Sequence, residues 1–397
     1  MATLSGLIIG PVLGSGVILL PPLLYNNIGD SALLIWIVIC LLGLAFALVF
    51  GRLAILYPGD GGVSLATKVA LGKKYQLLTS FYLIVAVFFG PVAVLLIAAQ
   101  FLQDYFMGVD PVFVALGVYA VTYLMLLVRI NFLGKVMLVV TSATTLLFFV
   151  SSIVTLLDVK QFLVSFPKLE IGKVGDAFLL AFWALVGWEV IGNYSNEIKS
   201  KKTLIRAVIF SAVMVSIVYL LLAAAITFGV FEQSKNGSEP FKIVWLIENV
   251  FGEYATLLLA IISTMLCIGT LILFVGGVAR LVSSLKFHPY LSTHLSSGSP
   301  VGALNILGLI HLIVLVLVYF KIFDISSLVA FADGFFIANA IIGLVTAIVL
   351  FENGILKYSA VILLILFSTI LIFSDIVILF VIVGLFFFVY FKVDQNI

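Results

Sequence analysis

The sequence predicts an all-α integral membrane protein, and three observations carry that expectation. Of its 397 residues 64% are hydrophobic and only 10% are charged, against roughly 25% in a soluble domain. Apolar runs of the length that crosses a bilayer, about 20 residues, recur along the whole chain. Those runs are apolar all round, as in Leu33 to Phe50 and Ser359 to Phe373, and lack the alternation of a membrane β-strand. Lys+Arg total 20 and Asp+Glu 18, a formal net charge of +2, so no basic face is available for nucleic-acid phosphates. Cys40 and Cys267 lie inside apolar runs and read as small buried hydrophobes, which leaves the redox compartment open.

Twelve spans are expected, at about 4–27, 31–57, 77–103, 110–128, 133–157, 174–195, 204–231, 254–280, 301–320, 325–351, 355–373 and 375–391, read by hydropathy. The first has no basic leading region and no small-residue cleavage site, so it reads as a retained helix and not a signal peptide. With the N-terminus inside, only Lys160, Lys168, Lys173, Lys235, Lys242 and Lys321 of the 20 basic residues fall outside, which predicts both termini cytoplasmic. The stretch 232–253 carries Trp245, Ile247 and Val250 among charges and predicts a short interfacial helix.

Two spans are interrupted. The first reads Gly10-Pro11-Val12-Leu13-Gly14-Ser15-Gly16-Val17, and glycine with proline weakens an intramembrane helix whose freed backbone groups must meet protein, water or ligand. A helix restarting after Gly14 aims the N–H groups of Ser15, Gly16 and Val17 at one point, an anion site suited to a carboxylate. Close helix packing through small residues is the alternative. The sixth span contains Trp183-Ala184-Leu185-Val186-Gly187-Trp188-Glu189, a glycine break beside a carboxylate. An acid at that depth usually marks a substrate or ion pathway, so Glu189 is a candidate proton carrier; the alternative is a neutral carboxyl bonded to a neighbouring helix.

Spans one and six occupy equivalent places if spans one to five and six to ten form two halves, about 4–157 and 174–351. An odd number of helices per half makes the halves enter from opposite sides, giving a 5+5 inverted repeat with its broken helices at the centre, as in secondary transporters. The last two helices, about 355–391, would be additions to a single transmembrane domain covering 1–397.

These residues resemble the amino acid-polyamine-organocation (APC) transporters. The resemblance rests on Leu13-Gly14-Ser15-Gly16-Val17 with Pro21, on Tyr57-Pro58-Gly59-Asp60-Gly61-Gly62-Val63, and on Phe182-Trp183 through Glu189. It continues in Asn196-Glu197-Ile198-Lys199, Arg206-Ala207, and the segment from Arg280 to Ser299-Pro300-Val301. It is closest to the branch of methionine and branched-chain amino acid exporters and implies a LeuT-like fold. By resemblance, Val12, Ser15 and Gly16 contact the substrate's backbone groups, with its carboxylate on the Gly-Ser-Gly turn. Trp183, Ala184 and Val186, beside Gly187, match the positions facing the α-amino group, with Trp183 closing over the substrate. Glu189 matches the proton-linked carboxylate.

Pro91 stands where the related arginine/agmatine antiporter has asparagine, and Leu271 replaces one of its aromatic pocket residues. Apolar groups at both places argue against a guanidinium and for an aliphatic or thioether side chain. The lysine that substitutes for sodium in some members is absent; Thr144 lies nearest that position and, with Ser263 and Thr264, is a candidate sodium site unless these hydroxyls bond back to their own helices. Asp333, a second intramembrane acid, has no family role to inherit; pairing with Arg52 or another buried group and proton carriage both stay open. Arg52 and Arg280 are expected to snorkel. His288, His294 and His311 show no metal-ligand spacing, and Gly59-Asp60-Gly61-Gly62 reads as a turn.

The expected partners are therefore a neutral amino acid, a proton or alternatively sodium, and the bilayer, with no cofactor, no metal and a monomeric or homodimeric state. A transporter, exporting or importing, is the leading reading. A membrane enzyme would need a cluster of nucleophile, base or metal ligands that the sequence does not offer, and a non-transporting sensor would lack a soluble relay domain.

Overall fold

A computed structural model describes residues 2–128, 130–160, 170–197, 200–229 and 240–392. The first span is two helices, α1 (Ala2–Leu13) and α2 (Gly16–Ile28), followed by α3 (Ala32–Leu56), the short α4 (Val63–Leu71), α5 (Lys73–Leu102), α6 (Pro111–Leu126) and α7 (Ile130–Leu157). The sixth span opens with α8 (Ile171–Phe182) and continues through 3₁₀ turns at Trp183–Leu185 and Val190–Glu197. Then come α9 (Lys201–Phe228), α10 (Ile243–Phe251), α11 (Ala255–Leu285), α12 (Val301–Tyr319), α13 (Ile325–Leu350), α14 (Ile355–Leu371) and α15 (Ile376–Lys392). Among the described residues, 8 continuous helical stretches are long and apolar enough to cross a membrane, some joining two helices, and three shorter apolar helices accompany them. The chain is a multi-pass membrane protein.

Local sequence fixes where several helices begin. Asp110 caps α6 by accepting the Val112 N–H at 2.9 Å, with Pro111 in the first turn, where its missing N–H costs nothing. Asp324 and Ser327 form a reciprocal capping box at the start of α13. The long helices then pack in a scaffold: α5 against α13 and α11, α3 against α9, and α1 against α7, while α14 lies on α13 and α3. The broken segments run between these pairs. A ring stack of Trp36 on Tyr219, 4.5 Å between centroids, ties α3 to α9 beside the first break.

Two expectations change on contact with the structure. The helix expected near 232–253 forms at Ile243–Phe251, but Trp245, Leu246 and Ile247 are buried against α7 and α11. Its apolar stripe is satisfied by protein rather than by an interface. Arg280 does not snorkel: it lies over the Tyr194 ring, 4.5 Å from the centroid, and Nη1 donates to the Gly276 carbonyl. Residues 59–62 are a turn as read, and the chain re-coils at once into α4, with the Gly59 N–H donating to Ser195 Oγ at 2.8 Å.

Candidate functional site

The first break is a turn at Gly14 and Ser15. Gly14 (φ +42°) donates to the Gly10 carbonyl at 2.7 Å, ending α1, and Ser15 offers its carbonyl to Leu19, starting α2. The first-turn N–H groups of α2 have no earlier carbonyl within their own helix, so they project into the space ahead of it. Gly16 sits there because little else fits: a Cβ would lie 2.8 Å from Tyr219 Oη and 3.4 Å from Trp183 Cδ1. Tyr219 is itself held, its hydroxyl donating to the Leu13 carbonyl at 3.4 Å.

In the sixth span, Val186 is extended (φ −69°, ψ 133°) and Gly187 takes φ +123°, a left-handed value that disfavours any side chain. The Gly187 N–H donates to Glu189 Oε2 at 3.1 Å. Glu189 is buried, and its Oε1 has no hydrogen-bond partner among the described residues. Its carboxylate therefore braces the break from behind. Beyond it, Asn193 Nδ2 donates to the Gly277 carbonyl at 3.0 Å and the Tyr194 hydroxyl to those of Ile272 and Leu273. These bonds clamp the 190–197 turn onto α11.

The two breaks and three scaffold helices enclose one cavity. Val12, Gly14, Ser15, Gly16, Pro91, Trp183, Val186 and Leu271 all line it. Val17, Ala184 and Gly187 are buried next to it but form no part of its wall. Trp183 Nε1 donates to Ser15 Oγ at 3.3 Å, tying the two breaks together as a lid. Water-sized space inside is about 20 Å³, room for one or two waters, so an amino acid fits only when the walls part. Phe274, Phe336, Val94 and Thr270 also line the wall. Helical spacing could have found two of them, since Thr270 and Phe274 share a face of α11, but Phe336 lies three residues from the polar Asp333 and gives no signal.

Pro91 shapes the wall for a reason visible in the backbone. Proline has no N–H, so the carbonyl four residues earlier, that of Val87, loses its helical partner. His311 Nε2 reaches across from α12 and donates to that carbonyl at 2.7 Å, while Nδ1 pairs with the Tyr119 hydroxyl at 3.0 Å. His311 thus replaces the missing amide.

The remaining candidates lie apart. Thr144, Ser263 and Thr264 donate to the carbonyls of Val140, Leu259 and Ala260 four residues back, and none of them lines the cavity. Asp333 is buried and its Oδ1 unpartnered among the described residues. The alternative of an Arg52 pair is not realised, because Arg52 is exposed and no bond joins the two.

Known proteins point the same way. The chain is 26% identical over 353 residues to the L-methionine/branched-chain amino acid exporter YjeH of Escherichia coli (strain K12), covering 84% of this chain and 81% of that protein. It is 25% identical over 300 residues to the human large neutral amino acids transporter small subunit 2, 70% of this chain and 54% of that protein. In three dimensions it matches the manganese transporter of Eremococcus coleocola at TM-score 0.65, with 13% identity over 99% of this chain and 94% of that one. Such a match establishes the LeuT-like transporter fold, and the relatives are transporters, not enzymes. The amino acid permease profile matches residues 1–395, and the chain belongs to that family, within the APC superfamily.

Proposed function

We propose that the protein moves neutral amino acids with aliphatic or thioether side chains across the cytoplasmic membrane by alternating access, with both termini cytoplasmic and proton-coupled export as its working direction. The single observation that carries this reading is the cavity wall. Backbone from both helix breaks faces Val12, Pro91, Val94, Val186, Leu271, Phe274 and Phe336, and no charged side chain is among its described lining residues. Helix-end N–H groups suit a carboxylate, exposed carbonyls suit an ammonium group, and the apolar remainder suits a side chain without charge. The exporter and large-neutral relatives support the substrate class, and the first of them supports the direction.

Glu189 is the coupling residue in this proposal. A hydrogen bond from the Gly187 N–H is stronger to a carboxylate than to an uncharged carboxyl. Proton uptake therefore loosens the turn that carries Val186 and, from four residues beyond Glu189, the clamp onto α11. The test is thermal stabilisation of the purified protein by each of the twenty amino acids at two pH values, repeated in Glu189→Gln, followed by efflux from proteoliposomes under an imposed pH gradient. Methionine, leucine or isoleucine should raise the melting temperature, and Glu189→Gln should bind them while losing the pH dependence of efflux. Stabilisation by no free amino acid at either pH would refute the substrate reading, and gradient-driven efflux intact in Glu189→Gln would refute the coupling.

A further inference from the structure

Trp183 borders a second space. On the far side of this lid from the closed cavity, a vestibule of about 460 Å³ opens between α2, α5, α8 and α13. Its walls are mostly apolar, from residues such as Leu23, Leu179 and Val329, and none of the described residues lining it is basic. Polar groups occur at two levels. Gln100, Asp176 and Ser326 line it where they are exposed, at the mouth; Asp333 lines it with 2% exposure, at the floor. Seven residues separate Asp176 from Trp183 on the sixth span and Ser326 from Asp333 on α13, so mouth and floor lie about 10 Å apart.

A carboxylate anion buried at membrane depth without a counter-charge costs several kcal/mol. Asp333 Oδ1 has no partner among the described residues, and no residue in the wall supplies a positive charge. The vestibule lacks the other half of an ion pair. A bare metal ion is a poor fit, because it needs several converging oxygens and no group of three or more His, Cys, Asp or Glu is placed to hold one among the described residues. Apolar walls above a single acid instead match an ammonium group carried on a hydrocarbon tail.

We propose that this vestibule is a separate recognition site for the ammonium end of an aliphatic amine, with Asp333 as its counter-charge and Asp176 drawing the cation to the mouth. The site needs no carboxylate on its ligand, and in that it differs from the closed cavity beyond Trp183. It stands whether or not that cavity binds amino acids.

Cysteine protection tests it. Both native cysteines, Cys40 and Cys267, are buried, so Ser326→Cys adds an exposed thiol at the mouth. Modification of Ser326→Cys by a small methanethiosulfonate is timed with isopentylamine, with 4-methylpentanoate, and with potassium chloride at matched ionic strength. Isopentylamine should slow the reaction, the acid and the salt should not, and a cationic reagent should outpace an anionic one. Adding Asp333→Asn should raise the protecting concentration of isopentylamine by about tenfold, the loss of one charge-assisted hydrogen bond. Equal protection by potassium would overturn the amine in favour of a simple cation, and equal protection by 4-methylpentanoate would leave apolar packing alone. If Asp333→Asn does not fold, the three-ligand pattern in Ser326→Cys by itself still decides. Leucine stabilisation with no amine protection would sink this site and leave the cavity reading standing; the reverse would do the opposite.

Discussion

Removing the His311 imidazole should destabilise the protein through a backbone carbonyl on another helix. In His311→Leu a side chain of similar bulk remains, but the Val87 carbonyl loses the donor that reaches it from α12, and Pro91 cannot replace it. Orphaning a buried carbonyl costs about 1–3 kcal/mol, and the buried Tyr119 hydroxyl loses its partner as well. We expect a total loss near 2–3 kcal/mol in unfolding free energy, read by denaturing-detergent titration of the purified protein. The discriminating measurement is the same substitution in the Pro91→Ala background. Pro91→Ala restores an N–H four residues after Val87, so His311→Leu should cost about 1–2 kcal/mol less there than in the native background, a coupling that a double-mutant cycle isolates. His311→Gln, whose amide can donate to the same carbonyl, should recover part of the loss. Equal costs in both backgrounds would mean that His311 serves packing alone and that the account of Pro91 is wrong.

Three further outcomes are expected, two at the site and one at the α13 cap. Gly16→Ala forces a Cβ to within 2.8 Å of Tyr219 Oη; overpacking of this kind costs about 1–3 kcal/mol, and Tyr219→Phe, which deletes the opposed atom, should recover most of it in thermal unfolding. Trp183→Phe removes the 3.3 Å bond to Ser15 Oγ and should speed release of bound leucine about two- to tenfold, with Ser15→Ala giving the same change and the double variant no more. The Ser327 hydroxyl, and then its N–H, hold the exposed Asp324 carboxyl below its ordinary 3.8. A depressed acid contributes above its unfolded value and loses that contribution as pH falls through its lowered one, so the α13 cap should persist at pH 4 and fail only in stronger acid. Asp324→Ala should cost about 1 kcal/mol at neutral pH, and a carboxyl titrating above 3.8 by NMR would contradict the cap geometry.

Sequence is most informative where chemistry is local. The Gly14-Ser15-Gly16 break is legible from its local sequence, and Val12, Ser15, Gly16, Trp183 and Val186 do face one space. Leu271 and Pro91 reach that space only by resemblance, because nothing in an apolar residue says which helix it meets. Phe336 escapes notice for the same reason. Pro91 carries a legible demand, a carbonyl at Val87 in want of a donor, and a lone histidine in a neighbouring span is the group to suspect; weighing that ring only for metal spacing overlooks it. Asp333 is visible as an anomaly, but its meaning depends on a vestibule made by four helices far apart in sequence.

The bonds on the two sides of the closed cavity are unequal, and that inequality sets how the empty protein opens. Toward the vestibule, among the described residues, the lid is held by one long hydrogen bond, Trp183 to Ser15. Toward the other face the 187–197 segment is held by Asn193 to Gly277, Tyr194 to α11, Gly59 to Ser195, and Arg280 over Tyr194. At about 1 kcal/mol apiece, the clamp exceeds the lid by ~3 kcal/mol, a factor of about a hundred in population. An unloaded molecule should therefore open to the vestibule, and loading from the clamp side requires an input that weakens the clamp. Glu189 braces Gly187 at the root of that segment, so its neutralisation is such an input. Val190→Cys, at a buried position against Gly277, reads it directly. When Glu189→Gln is added, the modification rate of Val190→Cys should rise about tenfold, as when one ionic hydrogen bond is lost, while that of Ser326→Cys stays unchanged. If both rates rise together, the change is general loosening; if neither moves, the clamp does not listen to Glu189, and export coupled through it has no mechanical basis.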